Sequence, residues 1–267
     1  MDVASWHPYW EDLDKDGDLD LAVYIDGQQD QKGLFWLFDN VAGNHYLRAA
    51  SRFDGSFNTM LGIDYDHNGT RDLLLTTTKH TLFIKTEKNA YVGGFTCQDI
   101  SQSIGLSDII NIDRVAMFDS NRNGQIELVI SQPEVAWLEY QPFAGEFRDI
   151  YSATHLPDAN SHWKLLASAD VNNDGLFDLL VQEATDNSGS SSGLTFYVAD
   201  AAGHFTETAP HGLYNRYGQM SLAQVLVVDM NNDGAQDLVI FENLTDVAQG
   251  YRTHLLLNDF ASLAQVS

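Results

Sequence analysis

Short runs of β-branched, Leu and aromatic residues recur along the chain, each broken by polar residues before it reaches helical length. Such runs predict strands. The runs Pro8–Glu11, Met60–Ile63, Val115–Phe118, Leu166–Ala169 and Val225–Val228 each lead into an Asp/Asn-rich stretch. A second run leaves each stretch and includes Val23, Leu75, Ile130, Val181 or Ile240. A third follows at Leu34–Phe38, Thr81–Lys85, Val135–Glu139, Leu194–Val198 and His254–Asn258, where Trp36, Phe83, Trp137, Phe196 and Leu256 align. A turn of Gly then an aromatic opens a fourth strand at Gly43/Tyr46, Gly94/Phe95, Gly145/Phe147 and Gly203/Phe205, and the last repeat keeps only Phe260.

The polar stretches between the first and second runs share one frame of nine positions. Oxygen-bearing side chains fill positions 1, 3, 5 and 9, and Gly fills position 6, in all five copies. The copies are Asp12, Asp14, Asp16, Asp20; Asp64, Asp66, Asn68, Asp72; Asp119, Asn121, Asn123, Glu127; Asp170, Asn172, Asp174, Asp178; and Asp229, Asn231, Asp233, Asp237. Ca²⁺ takes six to eight oxygens in a flexible shell, so alternate residues of a tight loop can all serve as ligands. Position 7 adds a backbone carbonyl, here from Asp18, Thr70, Gln125, Leu176 and Ala235. An EF-hand would need a bidentate Glu at position 12 and flanking helices. Position 12 is instead Val23, Leu75, Ile130, Val181 or Ile240, each inside a strand-like run. The loops therefore predict up to five Ca²⁺ ions held between pairs of strands, against the plainer alternative of metal-free Asx turns.

Successive first Asp residues fall at 12, 64, 119, 170 and 229, a period in the fifties. Four strands per period predict the blades of a β-propeller, whose radial closure protects sheet edges. The fold class expected is all-β, with five four-stranded antiparallel blades at about 1–54, 55–107, 108–160, 161–216 and 217–267 in one domain. That domain stands alone or belongs to a longer protein.

Composition narrows the partners. The net charge of −24 argues against nucleic acid and anionic membrane surfaces, which attract Lys/Arg clusters. Fifteen of the carboxylates occupy ligand positions, so metal-free loops crowd like charges. No apolar run approaches membrane-spanning length, and the first residues lack the pattern of a secretory signal. Cys97 is the single cysteine and reads as an inert thiol in a strand. Asn68 opens a glycosylation sequon, but its place among the metal ligands argues against a glycan there.

The loops and blades together resemble the FG-GAP/VCBS repeats of integrin-α-type β-propellers, over essentially the whole chain. The Phe-Gly and Gly-Ala-Pro signatures of integrin copies are not evident, so the repeats are closer to the VCBS kind. The resemblance implies Ca²⁺ on one face and ligand contacts from the opposite face. Family members commonly carry seven or more blades, so five repeats imply a five-bladed ring or a piece of a larger one.

Loops of this kind suit the high calcium outside the cytosol, which implies an extracellular, cell-surface or periplasmic setting. The function expected is a calcium-stabilised binding or adhesion module for a glycan or protein ligand. Trp163, Tyr214 and Tyr217 are the aromatics placed to contact such a ligand. A purely architectural propeller domain of a larger surface protein or toxin is the second reading, and a polysaccharide lyase the third. The nine His residues share no spacing and basic residues are sparse, so no catalytic residue is assigned.

Overall fold

A computed structural model of the chain describes residues 4–27, 31–91, 93–110, 112, 114–131, 136–156, 163–184, 191–208, 222–243 and 251–256. Five antiparallel sheets account for nearly all of them. The first holds β1 (Trp6–Glu11), β2 (Asp20–Ile25), β3 (Gly33–Val41) and β4 (Asn44–Phe53), in that order from edge to edge. The second holds β5 (Phe57–Ile63), β6 (Asp72–Thr77), β7 (Thr81–Lys88) and β8 (Phe95–Asp99). The third holds β9 (Arg114–Phe118), β10 (Glu127–Ser131), β11 (Ala136–Gln141) and β12 (Glu146–Asp149). The fourth holds β13 (Trp163–Ala169), β14 (Asp178–Ala184), β15 (Ser191–Ala199) and β16 (Phe205–Thr208). The fifth holds β17 (Leu222–Val228), β18 (Asp237–Asn243) and β19 (Tyr251–Leu256), and the fourth strand expected near Phe260 lies outside the described residues. One 3₁₀ turn, Tyr151–Ala153, is the helical element among the described residues.

Each sheet is a meander, because the connections are short and antiparallel neighbours need only tight turns. The first strand of every sheet is an edge strand. That position accommodates Pro8, which lacks a backbone N–H and in a central strand would remove a ladder hydrogen bond.

The third strands correct one feature of the sequence alignment. Phe83, Trp137 and Phe196 pair with Leu74, Val129 and Leu180, two residues beyond position 9. In the first and fifth sheets the residues at that register are Leu37, opposite Ala22, and Leu255, opposite Val239. Trp36 and Leu256 are therefore one residue out of register, which for Trp36 means the opposite face of the strand. Phe35 and Leu37 are fully buried, whereas Trp36 is half-exposed and leans edge-on against Phe38.

The chain forms two compact units, Met1–Asp113 with Tyr140–Arg148, and Arg114–Glu139 with Asp149–Ser267. In the first, Tyr24, Phe35, Leu37 and Phe53 of the first sheet pack on Met60, Leu73, Leu75 and Phe95 of the second. Cys97 lines the same core, half-buried, and burial pushes its thiol pKa up, as an inert thiol requires. In the second unit, Phe118, Val129 and Trp137 pack on Leu179, Val181, Tyr197 and Phe205. The other face of the fourth sheet, with Leu166, Leu180 and Phe196, covers Val225, Leu238 and Ile240 of the fifth. Trp137 is fully buried 4.8 Å from the Phe205 ring, so it is a core residue.

A charged cluster ties the first two sheets at their outer strands. Asp39 on β3 is fully buried, and its Oδ2 lies 2.6 Å from the Arg48 guanidinium on β4 and 3.2 Å from the Phe95 amide. Gly94 makes this possible. Its φ of +70° is left-handed, and a Cβ there would collide with the Asp39 carboxylate. Removing one partner of a buried pair strands the other without compensation. Arg48→Met is expected to destabilise the fold by about 3–5 kcal/mol, read as a drop in urea midpoint at constant m-value.

Candidate metal centre in the repeated loops

Each Asp/Asn loop joins the first and second strands of its sheet and is shaped by its own side chains. The position-1 carboxylate accepts the amide of the position-6 glycine: Gly17 on Asp12 at 3.0 Å, Gly69 on Asp64 at 3.1 Å, Gly124 on Asp119 at 2.8 Å, Gly175 on Asp170 at 2.7 Å and Gly234 on Asp229 at 2.9 Å. Position 3 accepts the amide of position 5, with Asp14, Asp66, Asn121, Asn172 and Asn231 as acceptors. Position 5 accepts the amide of position 7, from Asp18 to Asp16, Thr70 to Asn68, Gln125 to Asn123, Leu176 to Asp174 and Ala235 to Asp233. The result is a curl in which alternate side-chain oxygens lie on the inside.

Two backbone positions carry this curl. The glycines have φ between 79° and 98°, where any Cβ is strained. Space is not the reason, since four of the five would meet nothing within 4 Å. Position 4 is left-handed as well, at Lys15, His67, Arg122, Asn173 and Asn232, with φ of 56–60°. The sequence signal for this second position exists only at Asn173 and Asn232, because Asn tolerates the conformation better than Lys, His or Arg.

Position 9 does a different job from the rest. Asp20, Asp72, Glu127, Asp178 and Asp237 are all buried, with exposures of 0–1%. One oxygen accepts the amide of position 2, from Leu13, Tyr65, Ser120, Val171 or Met230. The other oxygen of Asp20, Asp72 and Asp178 accepts an amide of the third strand, from Asn40, Thr86 and Ala199, at 2.8–2.9 Å. Burial pushes Asp20 up to about 6, and Asp72, Glu127 and Asp178 up to about 7.

The predicted ligands converge unequally. Carboxylate oxygens of Asp12, Asp14 and Asp20 lie within 4.8 Å of one another, as do those of Asp64, Asp66 and Asp72. Loops with Asn at position 3 offer an amide oxygen there instead. At position 7, Leu176 and Ala235 bury apolar side chains, so a main-chain carbonyl is all they can contribute, while Thr70 turns its hydroxyl to Asn68 and Thr86. The Asn68 amide nitrogen donates to Thr86 O at 2.9 Å, which places the sequon asparagine inside the loop's own bonding. The donor set is wholly hard oxygen, and Asp64 Oδ1 and Glu127 Oε1 are buried without a hydrogen-bond partner. These residues fit a divalent cation. Three cations were not anticipated from the sequence: Lys85 Nζ lies 2.8 Å from Asp66 Oδ2, Lys15 Nζ lies 3.4 Å from Asp64 Oδ2, and Arg122 Nη2 donates to Asp174 O at 2.6 Å.

At the strand ends opposite the loops, the first unit has a cleft of about 290 Å³ lined by Phe53, His80, Thr81, Asp99, Ser101 and Gln102. Of the aromatics expected to contact a ligand, Trp163 begins β13, and Tyr214 and Tyr217 lie outside the described residues. His7 bonds Asp26 at 2.9 Å and stacks on Phe57 at 4.1 Å, while the other Asp26 oxygen accepts the Phe57 amide. That His–Asp pair is a joint between β1, β2 and β5.

The raised carboxyl pKa values set a sign for pH dependence. Between the unfolded value near 4 and the folded values of about 6–7, the folded chain holds more protons, so stability falls as pH rises. In chelator, the melting temperature is expected to drop between about pH 4 and pH 7. Metal ligation needs the deprotonated form, so added calcium should counter that drop increasingly over the same window.

Residues 170–240 match the family model described as FG-GAP-like repeat. The match runs from position 1 of the fourth loop, through the four intervening strands β14–β17 and the fifth loop, to the middle of β18. Among curated proteins, none matches the chain. Residues 170–240 therefore carry an FG-GAP-like repeat.

Proposed function

We propose that this chain is a calcium-stabilised β-propeller acting as an extracellular, cell-surface or periplasmic binding module for a glycan or protein ligand. One observation carries the calcium reading: the same oxygen-lined curl, with the same two left-handed residues and the same buried carboxylate, recurs in five loops. Positions 1, 3, 5 and 9 and the position-7 carbonyl would hold the ion in each. Bound there, calcium supplies the positive charge that converging carboxylates lack and locks each hairpin.

Recognition falls to the opposite strand ends. There the Phe53–His80 cleft combines aromatic rings with Asp99 and Gln102, a mixture suited to hydroxyl-rich or peptide ligands. The FG-GAP-type repeat and the absorption of His7 into packing favour binding over catalysis.

Chelation is expected to lower the melting temperature and millimolar calcium to restore it, by about 2.7 kcal/mol at a hundredfold excess over Kd. Asp12→Ala should weaken calcium binding by calorimetry, because charge at the ligands sets affinity. Stability untouched by exhaustive chelation would overturn the calcium reading. A glycan array and a protein pull-down from cell-surface extract identify the ligand class, and His80→Ala with Gln102→Ala is expected to abolish capture while leaving calcium affinity unchanged. Capture unaffected by both substitutions would move the ligand site elsewhere.

A further inference from the structure

The residue facing position 9 across the second and third strands differs sharply between repeats. It is Asp39 in the first sheet, Lys85 in the second, Glu139 in the third and Val198 in the fourth, as the pairings Leu21–Phe38, Leu73–Ile84, Glu127–Glu139 and Leu179–Tyr197 require. In the second loop this puts an ammonium group among the ligand carboxylates. Lys85 Nζ is 2.8 Å from Asp66 Oδ2, and its side chain is only 26% exposed. Its outer side is held by Glu87 at 2.9 Å, so two carboxylates fix its position.

A second cation reaches the same loop from its neighbour. Lys15, the left-handed position-4 residue of the first loop, extends to Asp64 Oδ2 at 3.4 Å. The backbone repeats the link, since the Arg71 amide of the second loop donates to Leu13 O of the first at 2.6 Å. Asp64 and Asp66 are positions 1 and 3, the two carboxylates that converge with Asp72. Among the described residues no Lys or Arg side chain pairs with the first loop's ligand carboxylates, and the Arg48 guanidinium pairs with Asp39.

We infer that the second loop carries its own counter-ion: the Lys85 ammonium holds Asp66 in place without metal, and calcium enters this loop only by displacing it. The inference rests on the calcium reading above and adds a residue that sets the affinity of one loop. It also reorders the loops. Counting carboxylates alone makes the third loop the weakest site. Counting the two lysines as well makes the second loop weaker than the third, where Asn123 bonds Glu139 and Arg122 turns away to the backbone of the fourth loop.

The charge in question is a single positive group a few Å from a divalent ion. Removing it is expected to tighten calcium binding at one site by about tenfold. The test is a calcium titration by calorimetry on the full chain, with Lys85→Met beside wild type and Lys88→Met as a control on the exposed end of the same strand. In Lys85→Met the weakest step should tighten about tenfold and the melting temperature in chelator should fall, with Lys88→Met unchanged in both. Lys85→Gln, which keeps a donor for Asp66 without the charge, should tighten calcium binding in the same direction and serves if the Met variant fails to fold. Wild-type binding of calcium with superimposable titrations for the Lys85 variants overturns this inference alone. Absence of calcium binding by wild type overturns the calcium reading, and this inference with it.

Discussion

A carboxylate buried at the base of each loop is the constraint on which the hairpins depend. It bridges backbone that is distant in sequence, joining the amide of position 2 to the third strand in the first, second and fourth sheets. A charged group with 0–1% exposure is costly unless every lone pair is used. The amides answer part of that demand, and each leaves carboxylate lone pairs facing the interior of the curl. The same carboxylate therefore specifies strand register and leaves oxygen lone pairs that could serve a cation.

Packing explains why this arrangement is repeated and not merely tolerated. A single four-stranded meander has two faces and cannot bury either alone. In the first unit the first sheet covers the second, and in the second unit the fourth sheet is covered on both faces by its neighbours. Within these units Tyr24, Phe83, Trp137 and Phe196 are buried. The Asp39–Arg48–Gly94 cluster adds a polar joint at the outer strands, where apolar contact thins out.

Much of this was legible in the chain. The nine-position frame located the first hairpin of every sheet, and the first strands end at the residues expected, because the frame couples a local turn chemistry to flanking apolar runs. The third strands were found but not their register at Trp36 and Leu256. Aromatic identity is a weak guide to facing, and a shift of one residue exchanges core for surface. The extra methylene of Glu127 had a visible effect: it keeps the Ser120 amide but leaves Oε1 without the third-strand donor that Asp20, Asp72 and Asp178 use. Lys15 and Lys85 could not be placed at the second loop by reading the sequence, since one arrives from the neighbouring hairpin and the other from across a sheet.

The glycine amides have one more consequence, for the protein's lifetime. Every loop contains an Asp-Gly or Asn-Gly junction, at residues 16–17, 68–69, 123–124, 174–175 and 233–234. Such junctions age by attack of the glycine nitrogen on the preceding side-chain carbonyl, which closes a succinimide ring and then opens to isoaspartate. In all five loops that nitrogen is engaged by the position-1 carboxylate, so the attacking geometry is withheld while the curl persists. Chemical durability of the chain is thus tied to the integrity of its loops, and a hairpin that loosens exposes its own backbone to irreversible damage.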